Sequence, residues 1–450
     1  MTNDTPYLFY QSRNPRPFLD HGEGIYLFDE SGKRYIDGSS GAMVSNIGHS
    51  NPRVLAKMKA QMDKATFGYR LHFRTHPSED LAAKTVAMCP KGLDRVFFVS
   101  GGSEAVESAV KLARQYALAT GQGGRYKVIS RFPSYHGCTF GALDLTGYEP
   151  LRAPFAPMME GMPKITAPTT YLDRDNLTED ERGIRYAELL RERIEEAGPD
   201  TVLAFLMEPV GGASTGALVA PDSYYQRTRE ICDEYGVLLI YDEVMTGAGR
   251  TGTFLAAEHW GITPDIVALS KGFGAGYAPL GAIVASSRLV EPVLDAGGFQ
   301  HGFTYAGNPL ACAAGLAVLE ELEDQNIIEN AALMGALLKR RLEDLMAHFP
   351  FIGDVRGKGL LLAFELVADR GTMRPLAKEL NAYTRLVEIA YDLGLIIYSR
   401  RTRGGLEGDH FLICPPLIIT EPQIDELMEL LEASLTRLAD EIMPAASEFV

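Results

Sequence analysis

Apolar and polar positions change rhythm along the chain. From Gly24 to Asp37 they alternate around the turn signal at Ser31-Gly32, which predicts a β-hairpin with one solvated face. From Leu81 to about Pro309 wholly apolar runs take over, at Arg95–Ser100, Thr201–Met207, Val237–Tyr241 and Asp265–Ser270, with amphipathic stretches such as Ser223–Tyr235 between them. Strands apolar on both faces that alternate with helices predict a mostly parallel sheet covered on both sides. The pattern then turns helical from Leu310 to His348 and returns to short strands at Gly359–Glu365 and Phe411–Cys414. The expected architecture is α/β: a large domain with a mostly parallel central sheet, plus a small α+β domain built from both chain ends. Residues 1–60 and 315–450 form the small domain in this reading, and 61–314 the large one. The single linker-like tract is the polar stretch from Asp173 to Glu181.

Composition narrows the function. At 450 residues and 46% hydrophobic the chain can bury a large core. The opening MTNDTPYLFYQSRNPRPF lacks an apolar signal-peptide core, and no stretch approaches the roughly 18 apolar residues of a membrane span. A cytoplasmic protein with no membrane partner is expected. A net charge of −16 argues against nucleic acid, whose phosphates need a basic surface. Cys89, Cys138, Cys232, Cys312 and Cys414 have no paired spacing, so no metal site or disulfide framework is expected and all five are read as buried thiols.

The candidate chemistry sits at strand ends. Asp242 follows the apolar run Val237–Tyr241, and Lys271 follows Asp265–Ser270. In an open parallel sheet the carboxyl ends of the strands face one crevice, where ligands bind. An acid and an amine delivered there suit pyridoxal 5'-phosphate (PLP): a lysine joins the cofactor aldehyde and a carboxylate keeps the pyridine nitrogen protonated. Gly101-Gly102-Ser103-Glu104-Ala105 precedes a helical pattern with Val106, Ala109, Val110, Ala113 and Ala117 on one face, a place for a phosphate or simply a turn. Tyr135 and His136, in Ser134-Tyr-His-Gly137, offer a ring to stack on a planar cofactor, or else a packed aromatic and its hydrogen-bonded neighbour. Glu208, before Pro209 at the end of an apolar strand, needs a cation or ligand as partner.

Three motifs give these residues a family. Tyr241-Asp-Glu-Val-Met-Thr-Gly-Ala-Gly-Arg-Thr-Gly252, Ser270-Lys271-Gly272 and His301-Gly-Phe-Thr-Tyr-Ala-Gly-Asn-Pro309 resemble those of class III (ω-type) aminotransferases of PLP fold type I, and the resemblance runs from about Gly24 to about Thr420. It implies that Lys271 forms the internal aldimine and shuttles the proton, and that Asp242 pairs with the pyridinium nitrogen. Val244 and Tyr135 would cover the two ring faces. Gly102 and Ser103 would hold the phosphate, joined by Phe303 and Thr304 from the second subunit of a homodimer, alone or within a dimer of dimers. Two departures stand out. Met245 replaces a frequent glutamine, and Tyr398–His410 is longer than in many relatives. That segment should carry the mobile arginine that pairs with Glu208 or with a substrate carboxylate; Arg400 is the first choice, with Arg401 and Arg403 as competitors. Met43 and Arg70 fall in stretches that build the amine pocket, where Arg70 is either a clamp for a distal anion or a surface or interface residue. The implied reaction moves an amino group from an ω-amino acid or amine to a 2-oxo acid, pyruvate ahead of 2-oxoglutarate. An aminomutase, racemase or decarboxylase on the same fold is the alternative, since each needs the same lysine and aspartate.

Overall fold

The computed structural model describes residues 7–10 and 16–446. β1 (Leu19–Glu23), β2 (Tyr26–Asp29) and β3 (Arg34–Asp37) pair antiparallel in order, so the hairpin lies where alternation placed it. Asp29 sets the turn, because its Oδ1 accepts the Ser31 N–H at 2.9 Å and the Lys33 N–H at 3.1 Å.

The central sheet contains β4 (Arg95–Val99), β5 (Lys127–Phe132), β6 (Lys164–Thr166), β7 (Val202–Met207), β8 (Leu238–Asp242), β9 (Ile266–Leu269) and β10 (Gly281–Ala285), in the order β4-β10-β9-β8-β7-β5-β6. β10 runs antiparallel to both its neighbours, and the other pairings are parallel. Every residue of β7, β8, β9 and β10 is buried. Successive side chains leave a strand on opposite faces: Leu239 and Tyr241 enter one hydrophobic cluster, while Leu238 and Ile240 enter the other, beneath helix Gly102–Ala119. Two buried faces explain the unbroken apolar runs.

β11 (Ile352–Lys358), β12 (Leu361–Asp369), β13 (Arg374–Pro375), β14 (Leu395–Ile396), β15 (Tyr398–Arg401) and β16 (Asp409–Ile413) follow. An antiparallel sheet runs β11-β12-β16-β15, with β13 beside β12. β14 pairs parallel with β3, so a strand from the far end of the chain completes the N-terminal sheet.

Four local expectations change. The helical region is two helices, Pro309–Asp324 and Ile327–His348, separated where Asn326 takes a left-handed φ of 51°. On helix Gly102–Ala119 the buried stripe is Ala105, Val106, Ala109, Leu112, Ala113 and Ala117; Val110 is only partly buried, at the stripe's margin. The polar tract near Asp173 is no linker. Thr178 and Glu181 form a capping box on helix Glu179–Ala197, and Arg185 binds both Asp173 and Asp175. Finally, Cys232, Cys312 and Cys414 are buried, but Cys89 is partly exposed and Cys138 exposed, because Cys138 lies on the loop after β5. No helix among the described residues is long and apolar enough to cross a membrane.

Helix Ile327–His348 crosses a neighbouring backbone at Gly335, where a Cβ would lie 2.3 Å from the Gly359 carbonyl carbon. Gly359 has a φ of +55°, and a Cβ there would meet the Thr251 backbone at 2.4 Å. The contact locks the helix against the turn downstream of Asp242. In an open helix Gly→Ala stabilises by about 1 kcal/mol. At Gly335 the collision reverses the sign, and Gly335→Ala should cost about 1–3 kcal/mol, read as a lower midpoint in thermal or urea unfolding. An unchanged or raised midpoint would refute this packing argument.

Candidate active site

Parallel pairing of β7, β8 and β9 brings Glu208, Asp242 and Lys271 to one edge of the sheet. Asp242 ends β8 and is 5% exposed. Its Oδ1 accepts the Val244 N–H at 3.1 Å, and its Oδ2 lies 2.8 Å from His136 Nδ1. An ionised carboxylate only accepts, so Nδ1 carries the histidine proton. His136 is held in turn by its own N–H, which donates to Thr146 Oγ1 at 2.9 Å, and its Nε2 is buried with no partner among the described residues.

Lys271 follows Ser270 at the end of β9 and has a φ of 47°, a left-handed conformation that non-glycine residues rarely take and that clusters at functional sites. Burial lowers its ammonium pKa, while the charges of Asp242 and Glu208 oppose that shift. The outcome is a larger fraction of neutral amine at a given pH, the form that attacks a carbonyl. Asn46 packs against the adjoining Gly272 and accepts from buried Arg250 at 2.9 Å, tying the segment after Met43 to the site's floor.

Glu208 lies just past β7 and is buried. Its Oε1 accepts the Gly212 N–H at 2.9 Å and its Oε2 the Tyr135 N–H at 3.4 Å. Burial raises its carboxyl pKa, and the neighbouring His136 and Arg131 act against that. Arg131 also donates to the Glu208 carbonyl at 2.5 Å. The partners demanded of this buried acid are therefore backbone amides and Arg131. Among the described residues no ion pair joins Glu208 to Arg400.

Gly102 opens its helix with no side-chain cap, which leaves the first N–H groups available to an anion. A Cβ at Gly102 would come 2.8 Å from Val244 Cγ1, so Val244 and the helix start are in close contact. Ser103 Oγ accepts the Cys138 N–H at 3.1 Å, and at Gly137, with φ +136°, a Cβ would fall 2.5 Å from that oxygen. Tyr135 is half-buried, and burial raises its phenol; Cys138, Tyr398, Asp242 and Arg400 lie near enough for their charges to act on it.

The remaining candidates are placed apart. Phe303 packs partly buried against the cluster beneath helix Gly102–Ala119, and Thr304 is exposed. Arg70 donates to the Phe303 carbonyl at 3.0 Å, and its guanidinium fills the space where a Gly302 side chain would be. Met43 is buried in the main core at a φ of 58°. Arg401 is bonded to the Lys378 carbonyl and Arg403 to the Met373 carbonyl. Arg400 is exposed and makes no side-chain hydrogen bond among the described residues; its charge acts on Tyr135, Tyr148 and His410.

Arg131, Gly212 and Gly137 were not singled out from the sequence. A charged residue inside the buried strand Lys127–Phe132 was the available signal for Arg131. The pair Gly211-Gly212, three residues past Glu208, was the signal for the loop that returns to it.

The donor set fits PLP. It has a buried carboxylate with acceptor capacity for a ring N–H, a lysine at the next strand end, a helix start with free amides beside a serine and a valine, and a half-buried tyrosine on the loop that carries His136. A mostly parallel sheet carrying lysine and aspartate at one edge defines a PLP enzyme of fold type I. The sequence profile of aminotransferase class-III matches residues 9–435. The chain is 40% identical over 418 residues to the uncharacterized aminotransferase YodT of Bacillus subtilis, covering 92% of this chain and 94% of that protein. It is 33% identical to the putrescine–pyruvate aminotransferase of Pseudomonas aeruginosa, over 97% and 95% of the two chains. Among solved structures, an (S)-enantioselective omega-transaminase from Thermomicrobium roseum superposes with a TM-score of 0.90 at 36% identity, over 96% of each chain. The chain belongs to the class III aminotransferases, a family of PLP-dependent transaminases.

Because burial favours the neutral amine of Lys271, borohydride reduction of the PLP-loaded enzyme should fix the cofactor on one peptide, the one containing Lys271. Peptide mass spectrometry that finds the label on another lysine would displace Lys271 from its role.

Proposed function

We propose that this transaminase moves an amino group from an ω-amino acid or amine donor to a 2-oxo acid, with pyruvate the preferred acceptor and 2-oxoglutarate the second. The observation that carries the reading is the placement of the buried Asp242–His136 pair and the Lys271 amine at the ends of adjacent strands. The putrescine–pyruvate relative supports an amine donor and pyruvate.

PLP, when bound, supplies a ring that takes up the electrons of the bond broken at the substrate carbon. Lys271 would be the amine that holds the cofactor and the base that carries the proton at the substrate carbon. Asp242 would be the carboxylate facing the ring nitrogen, and His136 fixes that carboxylate's orientation. Val244 and Tyr135 would hold the ring, and Gly102, Ser103 and the helix start would hold the phosphate, together with Phe303 and Thr304 of a second copy. Arg400 anchors a substrate carboxylate. Arg70 and Met43 stand on the donor side in this reading. A cytoplasmic homodimer goes with it, as does the division of the chain near residues 60 and 314. Exposed Phe67, Leu71, Phe73 and Tyr305 support pairing, since Phe67 and Tyr305 pack 6.0 Å apart within an apolar surface that stands open in a single chain.

The reading is tested by following products. A keto or aldehyde product should appear in step with alanine formed from pyruvate; carbon dioxide, a racemised donor or a shifted amino group would refute it. Lys271→Ala should abolish turnover and leave the fold intact. Asp242→Asn should slow the reaction by more than about tenfold, or about 1.4 kcal/mol on the barrier, because an amide lacks the charge that stabilises the ring proton. A smaller loss would place the ring-nitrogen partner elsewhere. Mixing Lys271→Ala chains with chains of an impaired Thr304→Ala variant should restore activity in proportion to subunit exchange, and no restoration would count against a shared site.

A further inference from the structure

Four residues stand directly opposite one another across the antiparallel sheet: Asp354 on β11, Glu365 on β12, His410 on β16 and Arg400 on β15. Directly opposed residues project to the same face, so they form one row that ends at the exposed Arg400. Within the row both acids are already engaged. Arg356 donates from Nη1 to Asp354 Oδ2 and from Nη2 to Glu365 Oε2, each at 2.8 Å. The Tyr171 hydroxyl donates to the same Glu365 oxygen at 2.9 Å, and the Arg356 guanidinium lies 4.1 Å over the Tyr171 ring. Arg356 also donates to the Thr215 carbonyl at 2.9 Å. Gly216 lies so close that a Cβ there would come 2.7 Å from the His410 ring and 2.9 Å from Arg356. Arg356 and Glu365 are buried, and His410 is fully buried.

We infer that Arg356 and Tyr171 are specificity-determining positioning residues: they hold the Glu365 carboxylate within the row and thereby leave the Arg400 charge to a substrate carboxylate. His410 is the spacer. Its Nδ1 lies 3.0 Å from Thr402 Oγ1, and burial pushes its imidazole down to about 3, with Arg356 and Arg400 both adding to that. It therefore adds no charge between the two arginines. Without Arg356, Glu365 is left as a buried carboxylate lacking its cation, and the other arginine of this row is Arg400. The inference rests on the reading of Arg400 as the substrate anchor. It adds that the anchor's strength is set by residues that never touch substrate.

The test uses separate half-reactions with two probes: the pyridoxamine phosphate-loaded enzyme with pyruvate, which carries a carboxylate, and the PLP-loaded enzyme with isopropylamine, which does not. Arg356→Gln should raise KM for pyruvate by about tenfold and leave the isopropylamine half-reaction within about twofold of wild type. The decisive variant is the double substitution Arg356→Gln with Glu365→Gln, which removes the freed acid and should return KM for pyruvate toward its original value. Equal losses for both probes, or a double variant no better than the single one, would overturn the inference. If Arg356→Gln does not fold, Tyr171→Phe loosens Glu365 with the ion pair retained and should raise the same KM by about two- to threefold; an equal effect on both probes, or none on pyruvate, overturns it. Arg400→Gln separates the two layers. A flat response there for pyruvate removes the anchor reading and this inference together, whereas a strong response beside a flat one for Arg356→Gln removes the inference alone.

Discussion

A buried carboxylate at the end of β8 is the constraint around which the site is arranged. A carboxylate buried in that interior needs hydrogen-bond donors, and Asp242 has two: the Val244 amide and the His136 imidazole. Each ties a different piece of the site to it. Val244 lies against Gly102 at the start of the helix that follows β4. His136 brings the loop after β5, and with it Tyr135 and the Cys138 amide that meets Ser103. Moving Asp242 would move Val244 with the helix start at Gly102, and the loop of Tyr135 and Cys138, at once.

The order of the sheet makes that constraint productive. β7, β8 and β9 are consecutive neighbours, all parallel, and each ends in a polar residue that works at the same edge: Glu208, Asp242 and Lys271. The two acids oppose the loss of charge that burial imposes on the lysine, so the amine sits between two influences. Glu208 is itself bonded by amides at Gly212 and Tyr135, which hold its carboxyl in place without pairing it to the lysine. The antiparallel sheet at the far end of the chain carries Arg400 and keeps Asp354 and Glu365 engaged with Arg356 and Tyr171.

Much of this was legible from residue order alone. Strands buried on both faces announce themselves as unbroken apolar runs, so β7, β8 and β9 and the polar residues at their ends were readable before any fold was known. Alternation placed the hairpin of β2 and β3, and motif spacing placed Lys271, Asp242 and the Gly102–Ser103 turn. These features are local, governed by side-chain periodicity over a few residues.

What only the tertiary structure decided are relations between residues far apart in the chain. Nothing near Arg400 in sequence distinguishes it from Arg401 and Arg403; the difference is that Arg401 and Arg403 find carbonyls at Lys378 and Met373, and among the described residues Arg400 finds none. Arg70 reads from sequence as a clamp or a surface cation, and the fold sets its guanidinium against Gly302 and the Phe303 carbonyl. The supposed linker at Asp173 became a capped helix start because Arg182 and Arg185, a turn or two further on, fold back onto its acids. The sequence by itself determined which strands are buried and which polar residues end them, because burial is written in local periodicity. Which charges are spent and which remain free was decided by the tertiary structure, because an ion pair depends on distance in space and the chain encodes that only through the whole fold.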